Sequence, residues 1–161
     1  MADEDLQRLD AWLGQIMAGL SPAERKRAAL KLGRQLRRAN LARIAANVEP
    51  DGAPMERRRP RHDRRGRLRV KAGRKMFRGM RAMRNWKVDA DETGVEIAPV
   101  GGLVERIAAV SQFGEVASVG RNRDGARIRH RYARRRLLGF SDEDEALAIE
   151  IATELLDLPV R

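Results

Sequence analysis

A block of like charge divides this chain. Between Arg57 and Lys87, in RRRPRHDRRGRLRVKAGRKMFRGMRAMRNWK, fifteen Lys or Arg stand against one acid, Asp63, a net +14. Charges at that density repel one another, so the stretch resists burial and stays solvated until an anionic partner neutralises it. The core must then come from segments on either side. Residues 1–56 carry +1, 88–120 carry −5, 121–136 carry +7 and 137–161 carry −6, so the overall +11 resides in two loop-like basic stretches. Such a block reads as a partner surface; the plainer alternative is a solubilising loop.

At 161 residues the default is one domain spanning 1–161. Aromatic residues make up only 4%, so the core is expected to be built from Leu, Ile, Val, Ala and Met. There is no cysteine, and so no disulfide or thiolate chemistry. The acidic start MADEDLQRLD lacks the order of a secretory signal, and no stretch nears the roughly 18 apolar residues that cross a bilayer. Those features suit a soluble protein made in a cytoplasm, with no membrane partner.

Residues 1–20 are expected to form an N-terminal helix, with Leu6, Leu9, Leu13, Ile16 and Met17 at helical spacing. Ser21-Pro22-x-Glu24 then starts a long helix, with Ser21 as cap, Pro22 in the first turn and Glu24 closing a capping box. That helix is expected to reach about Val48, its apolar row Leu32, Leu36, Ile44 and Val48 interrupted at Asn40. Glu49-Pro50-Asp51-Gly52 ends it in a turn. A mobile basic arm, 57–71, follows. Met76, Met80 and Met83 with Phe77 predict a short helix over 72–84 whose methionines face the core. Trp86–Ala90 and Val95–Ile97 alternate as a hairpin around Asp91–Gly94. Leu103–Phe113 reads as a helix with Leu103, Ile107 and Val110 inward and Gly114 as its stop. Residues 115–127 read as a flexible loop and Arg127–Arg136 as a strand. Ser141 caps a last helix reaching about Leu156, its first turn acidic and its apolar row Leu147, Ile151 and Leu155. The fold class is therefore α+β: a small antiparallel β-sheet, a long N-terminal helix, a C-terminal helix and long basic loops.

Catalysis finds little footing in these residues. His62 and His130 have no metal-ligand spacing, and His62 beside Asp63 lacks a nucleophile. No phosphate-cradling G-x-x-x-x-G-K-[ST] loop is present, and Asp142, Glu143, Asp144 and Glu145 match the positive end of their helix. The expectation is a protein without catalytic residues, cofactor or metal. What remains is binding. Arg57, Arg58, Arg59, Arg61, Arg64, Arg65, Arg67, Arg69 and Lys71, with Arg134, Arg135 and Arg136, are the candidates for an anionic partner, DNA or protein. Lys and Arg at this density neutralise phosphates without reading sequence. Few aromatics accompany them, so duplex phosphate or an acidic protein surface fits better than a stacked single strand. The acidic segments of the same chain are possible partners too, joined head to tail between copies.

Five short motifs then fall in one order: Ser21-Pro22, Pro50-Asp51-Gly52, Lys75-Met76-Phe77, Gln112-Phe113-Gly114 and Leu137-Leu138-Gly139-Phe140-Ser141. In this order they resemble the phage virion morphogenesis proteins, the tail completion proteins of contractile-tailed phages and related prophages, over about residues 20–156. Ser111 stands where that family often has His, and Ala133 and Arg136 stand where it usually has proline. The resemblance implies a structural role: completing the tail and making it competent to join the filled head. It further implies a hexameric ring matching tail symmetry, contacts with other tail and head–tail connector proteins, and DNA passing through or near the centre. The protein would then be assembled in the bacterial host cytoplasm and reside in the virion. The runner-up is a stand-alone basic nucleic-acid-binding protein.

Overall fold

The computed structural model describes residues 19–58, 65 and 76–156. The expected helix over 1–20 and most of the arm 57–71 lie outside the described residues.

Helix α1 (Pro22–Ala46) starts as its sequence requires: Ser21 Oγ accepts from the Glu24 amide at 3.3 Å and the Glu24 carboxylate accepts from the Ser21 amide at 2.9 Å. It stops two residues short of the expected Val48. Asn47 takes a left-handed conformation (φ 58°, ψ 44°), and its amide donates to the carbonyls of Arg43 and Ile44. Val48 instead bridges Pro54 across the following turn.

The stretch after Met76 departs from the expected helix. Two short 3₁₀ turns, Gly79–Arg81 and Met83–Asn85, are separated by Ala82 in extended conformation (φ −80°, ψ 124°). Phe77 has φ 56°, outside the helical region. Met76, Phe77 and Met80 are nevertheless buried as expected, whereas Met83 is exposed. Burial here overrides helical spacing: the Trp86 indole N–H donates to the Met80 carbonyl at 2.7 Å and pins the turn down.

Strands β1 (Trp86–Ala90) and β2 (Val95–Pro99) pair antiparallel, Val88 opposite Ile97. Asp91 Oδ1 holds their loop by accepting from the Thr93 and Gly94 amides at 2.8 and 2.9 Å. α1 lies on this hairpin with no side chain between them at Gly33. A Cβ there would stand 2.3 Å from Val95 Cγ2 and 2.6 Å from Val88 Cγ1.

Helix α2 (Gly102–Phe113) ends at Gly114 (φ 70°, ψ 40°), the expected left-handed stop. Its inward residues are Ala108, Val110 and Ser111; Leu103 and Ile107, expected inside, are exposed. Residues 115–127, expected as a loop, contain strand β3 (Val116–Arg121), paired antiparallel with β4 (Arg127–Arg131). Among the described residues the β-structure is thus two separate two-stranded antiparallel sheets. Helix α3 (Asp142–Leu156) packs against α1, with Asp144 bonded to Arg43 and Ile151 buried.

The core is one cluster: Leu41 and Ile44 of α1, Met55, Met76, Phe77, Met80, Trp86, Ala108 of α2 and Leu137. Fully burying aliphatic and aromatic side chains of this kind contributes about 1.5–3 kcal/mol each.

Candidate interaction surfaces

Polar side chains fasten the turn between β4 and α3 onto the rest of the fold. Gln112 Oε1 accepts from the Leu137 and Leu138 amides at 2.7 and 3.1 Å, and its Nε2 donates to the Leu138 carbonyl at 2.9 Å. Asn40, the polar break in the apolar row of α1, is buried; its Oδ1 accepts from the Gly139 amide at 3.1 Å and its Nδ2 donates to the Leu36 carbonyl at 2.9 Å. Arg43 donates to Asp144 at 2.6 Å, to Ser141 Oγ at 3.1 Å and to the Gly139 carbonyl at 3.2 Å. Asp144 closes the start of α3 as Glu24 does that of α1: its carboxylate accepts from the Ser141 amide at 3.0 Å. Only 2% of Asp144 is exposed, so its charge relies on these donors. The other acids of that turn, Asp142, Glu143 and Glu145, are exposed. The Ser141 hydroxyl holds the Glu143 carboxyl below its ordinary value.

The motif residues divide between structural and exposed positions. Pro50 is buried against Gly139, where an added Cβ would lie 2.6 Å from Pro50 Cγ. Gly139 is therefore required for close approach rather than for an unusual backbone angle. Asp51 pairs with Arg136 and accepts from the Ala53 amide at 3.0 Å, and Gly52 has φ 83°. Leu138 packs at the edge of the core. Phe113 and Phe140 face solvent, 68% and 69% exposed.

The candidate anion-binding residues separate too. Arg135, only 7% exposed, donates from Nε to the Glu56 carbonyl at 2.6 Å and from Nη2 to the Arg57 carbonyl at 3.4 Å. Burial pulls its guanidinium pKa down, opposed by the Glu56 charge. Arg136 donates to Glu49 at 3.0 Å and pairs with Asp51; these carboxylates raise its pKa. Arg135 is thus buried within the fold, and Arg136 is half-buried and paired with two carboxylates of the 49–51 turn, although both were expected to face a partner. Arg134 is exposed. Arg57 and Arg58 are exposed, Arg58 sitting 5.6 Å over the Phe77 ring, and Arg65 is exposed. Arg59, Arg61, Arg64, Arg67, Arg69 and Lys71 lie outside the described residues.

Two further cationic surfaces come from placement in space. Arg27, Lys31, Arg34 and Arg38 follow one another along one face of α1 and line a shallow groove with Leu30 and Gln35. Lys31 pairs with Glu154 of α3. Averaging residues 1–56 hides this stripe, because the acids flanking α1 cancel it; the helical repeat of the arginines would have revealed it. The second surface is the β3–β4 hairpin, on which Arg121, Arg123, Arg127, Arg129 and Arg131 are all exposed. Every residue of β4 is exposed; the Tyr132 amide extends the ladder by donating to the Glu115 carbonyl at 3.1 Å, and the chain beyond is tied to α2 by the Arg135 amide donating to the Ser111 carbonyl at 2.7 Å. His130 stacks edge-on against Tyr132, with ring centroids 5.1 Å apart. Among the described residues, no group of three or more His, Cys, Asp or Glu could hold a metal, and no helix is long and apolar enough to cross a membrane.

A family model described as the phage virion morphogenesis family matches residues 4–157. The chain belongs to that family. A relative in it, the Tail completion protein S of Escherichia phage P2, is 33% identical over 147 residues, covering 91% of this chain and 94% of that protein. No solved structure matches. The family match spans α1 through α3.

Proposed function

We propose that the protein completes the phage tail and enables it to join the filled head, as a non-enzymatic ring component at the upper end of the tail. The observation that carries this reading is the 33% identity to Tail completion protein S over nearly the whole of both chains. The distribution of polar groups agrees with it. Ser141, Asp144 and Arg43 bond to one another and to backbone, which makes them fold determinants rather than a reactive set. Among the described residues, the groups left outward are cations on α1, on the β3–β4 hairpin and at Arg57 and Arg58, suited to phosphate or carboxylate partners.

In this reading the hexameric ring contacts tail and connector proteins, with duplex DNA near its cationic surfaces. The test is complementation of a phage lacking this protein. Wild type should restore whole particles, and a variant with Arg27, Arg34 and Arg38 changed to Gln should leave full heads and free tails apart while folding normally. Normal particles from that variant would remove α1 from the contact surface. Tight, steeply salt-dependent duplex binding by the isolated protein, with no effect of its loss on head joining, would instead favour a free-standing nucleic-acid binder.

A further inference from the structure

Between α2 and the β3–β4 hairpin runs an open groove of about 500 Å³. Its apolar lining includes Ala109, Val110 and Val116; Arg106 lines it from α2, and Arg127 and Arg129 line it from β4. A single carboxylate, Glu115, joins them. An isolated two-stranded hairpin is marginal in water, and this one leaves Val116, in the groove, 40% exposed. Something of matching chemistry is expected to cover it.

The same chain carries that chemistry elsewhere. α3 lies on α1 and buries Asp144, bonded to Arg43, and Ile151, so its opposite face looks out. On the midline of that face stands Ile149, 67% exposed, with the exposed carboxylates Glu145 and Glu150 on its two sides. An apolar knob between carboxylates thus mirrors an apolar trough between guanidiniums. The helix of the same copy is engaged on α1 and does not fill its own groove.

We infer that adjacent copies dock by seating the outer face of α3 of one copy in the groove between α2 and β3–β4 of the next. Groove and knob are different surfaces, so the contact is heterologous, the kind that closes into a ring when the rotation per copy allows. The inference rests on the ring reading above and specifies which surfaces meet. Ile149 supplies the buried centre, and Glu145 and Glu150 face the arginines of the neighbour.

The experiment is native mass spectrometry of the full chain, with thermal melting as a check of folding, on wild type and three variants. One carries Arg106→Glu, Arg127→Glu and Arg129→Glu; the second carries Glu145→Arg and Glu150→Arg; the third carries all five. Wild type is expected to assemble. Each of the first two should lose self-association by about a hundredfold or more, because like charges then face each other. The five-fold variant should recover it, and an equimolar mixture of the first two should form rings with an even number of subunits. If wild type assembles and the first two variants assemble equally well, the docking is overturned and the ring survives. A five-fold variant that folds but stays monomeric also overturns it. A wild type that remains monomeric throughout overturns the ring and this docking together.

Discussion

Arg127, Arg129 and Arg131 on β4 and Arg134, Arg135 and Arg136 just beyond it are nearly alike in sequence, yet they meet different fates. The first three are exposed, and the hairpin that carries them contributes no member of the core cluster. Of the second three, Arg135 is buried and Arg136 half-buried, because the chain there runs past acceptors that bind them: the carbonyls of Glu56 and Arg57 and the carboxylates of Glu49 and Asp51. The acceptors within reach, not the density of arginine, decide whether a guanidinium is structural or available. The same contrast separates Arg43, bound to Asp144, from Arg34 and Arg38 on the outer side of the same helix.

The largest effect that would break this distinction is at the buried pair. Asp144→Ala strands Arg43 and the Ser141 amide, and should destabilise the protein by about 3 kcal/mol, measured by urea unfolding. Changing Arg129 and Arg131 to Gln should leave stability within about 0.5 kcal/mol. Equal losses at both places would mean that the hairpin is as integral as the fastened turn.

Next in size are the close approaches. Gly139→Ala presses a Cβ to 2.6 Å from Pro50 Cγ, and Gly33→Ala one to 2.3 Å from Val95 Cγ2. Each should cost about 1–3 kcal/mol, with lowered melting temperatures. Gly114→Ala adds a positive φ to a 3.1 Å contact with Arg134 and should cost about 1 kcal/mol or more. A neutral Gly139→Ala would show that the two turns can slide apart.

Gln112→Ala leaves the Leu137 and Leu138 amides without their acceptor and should cost about 1–3 kcal/mol. Hydrogen exchange should speed up at those two amides and not in β4. Uniform acceleration would place turn and hairpin in one cooperative unit.

The smallest effect is the pH dependence of the α1 cap. The Ser21 hydroxyl and amide hold the Glu24 carboxyl below its ordinary value of 4.5, so the stability it contributes is present above that value and lost as pH falls through the lower folded one. Glu24→Gln retains a capping side chain without the titration. Unfolding midpoints compared between pH 6 and about pH 3 should show a slightly steeper loss in wild type than in the variant. Identical slopes would mean that this cap does not contribute.

Local chemistry was legible in the sequence wherever a residue acts on its immediate neighbours. The Ser21 capping box, the Asp91–Gly94 turn, the Gly114 stop and the Ser141 start all read correctly, because each involves groups within a few positions. What escaped involves partners far along the chain. Nothing near Asn40 or Gln112 announces that they hold residues 137–139, and nothing near Gly33 announces Val88 and Val95. The 3₁₀ turns at 79–85 defeated helical periodicity because Trp86 anchors them from outside the repeat. β3 was missed because Gly120 and the polar loop after it dominate its composition. Of the candidate surface, exposure could be anticipated for Arg134 but not the capture of Arg135 and Arg136 by residues 49–57.

The bonds that tie the fastened turn to α1 and the turn after it join residues 87 to 101 positions apart: Glu49 to Arg136, Asn40 to Gly139 and Arg43 to Asp144. On the ribosome, α1 therefore waits for almost the entire chain to emerge before its buried polar groups find partners. The fold closes only once residues 136–144 have emerged, so a shorter nascent chain lacks the turn that ties α1 to α3. Nascent chains arrested before Leu137 should remain sensitive to protease within α1, whereas chains released at full length should not.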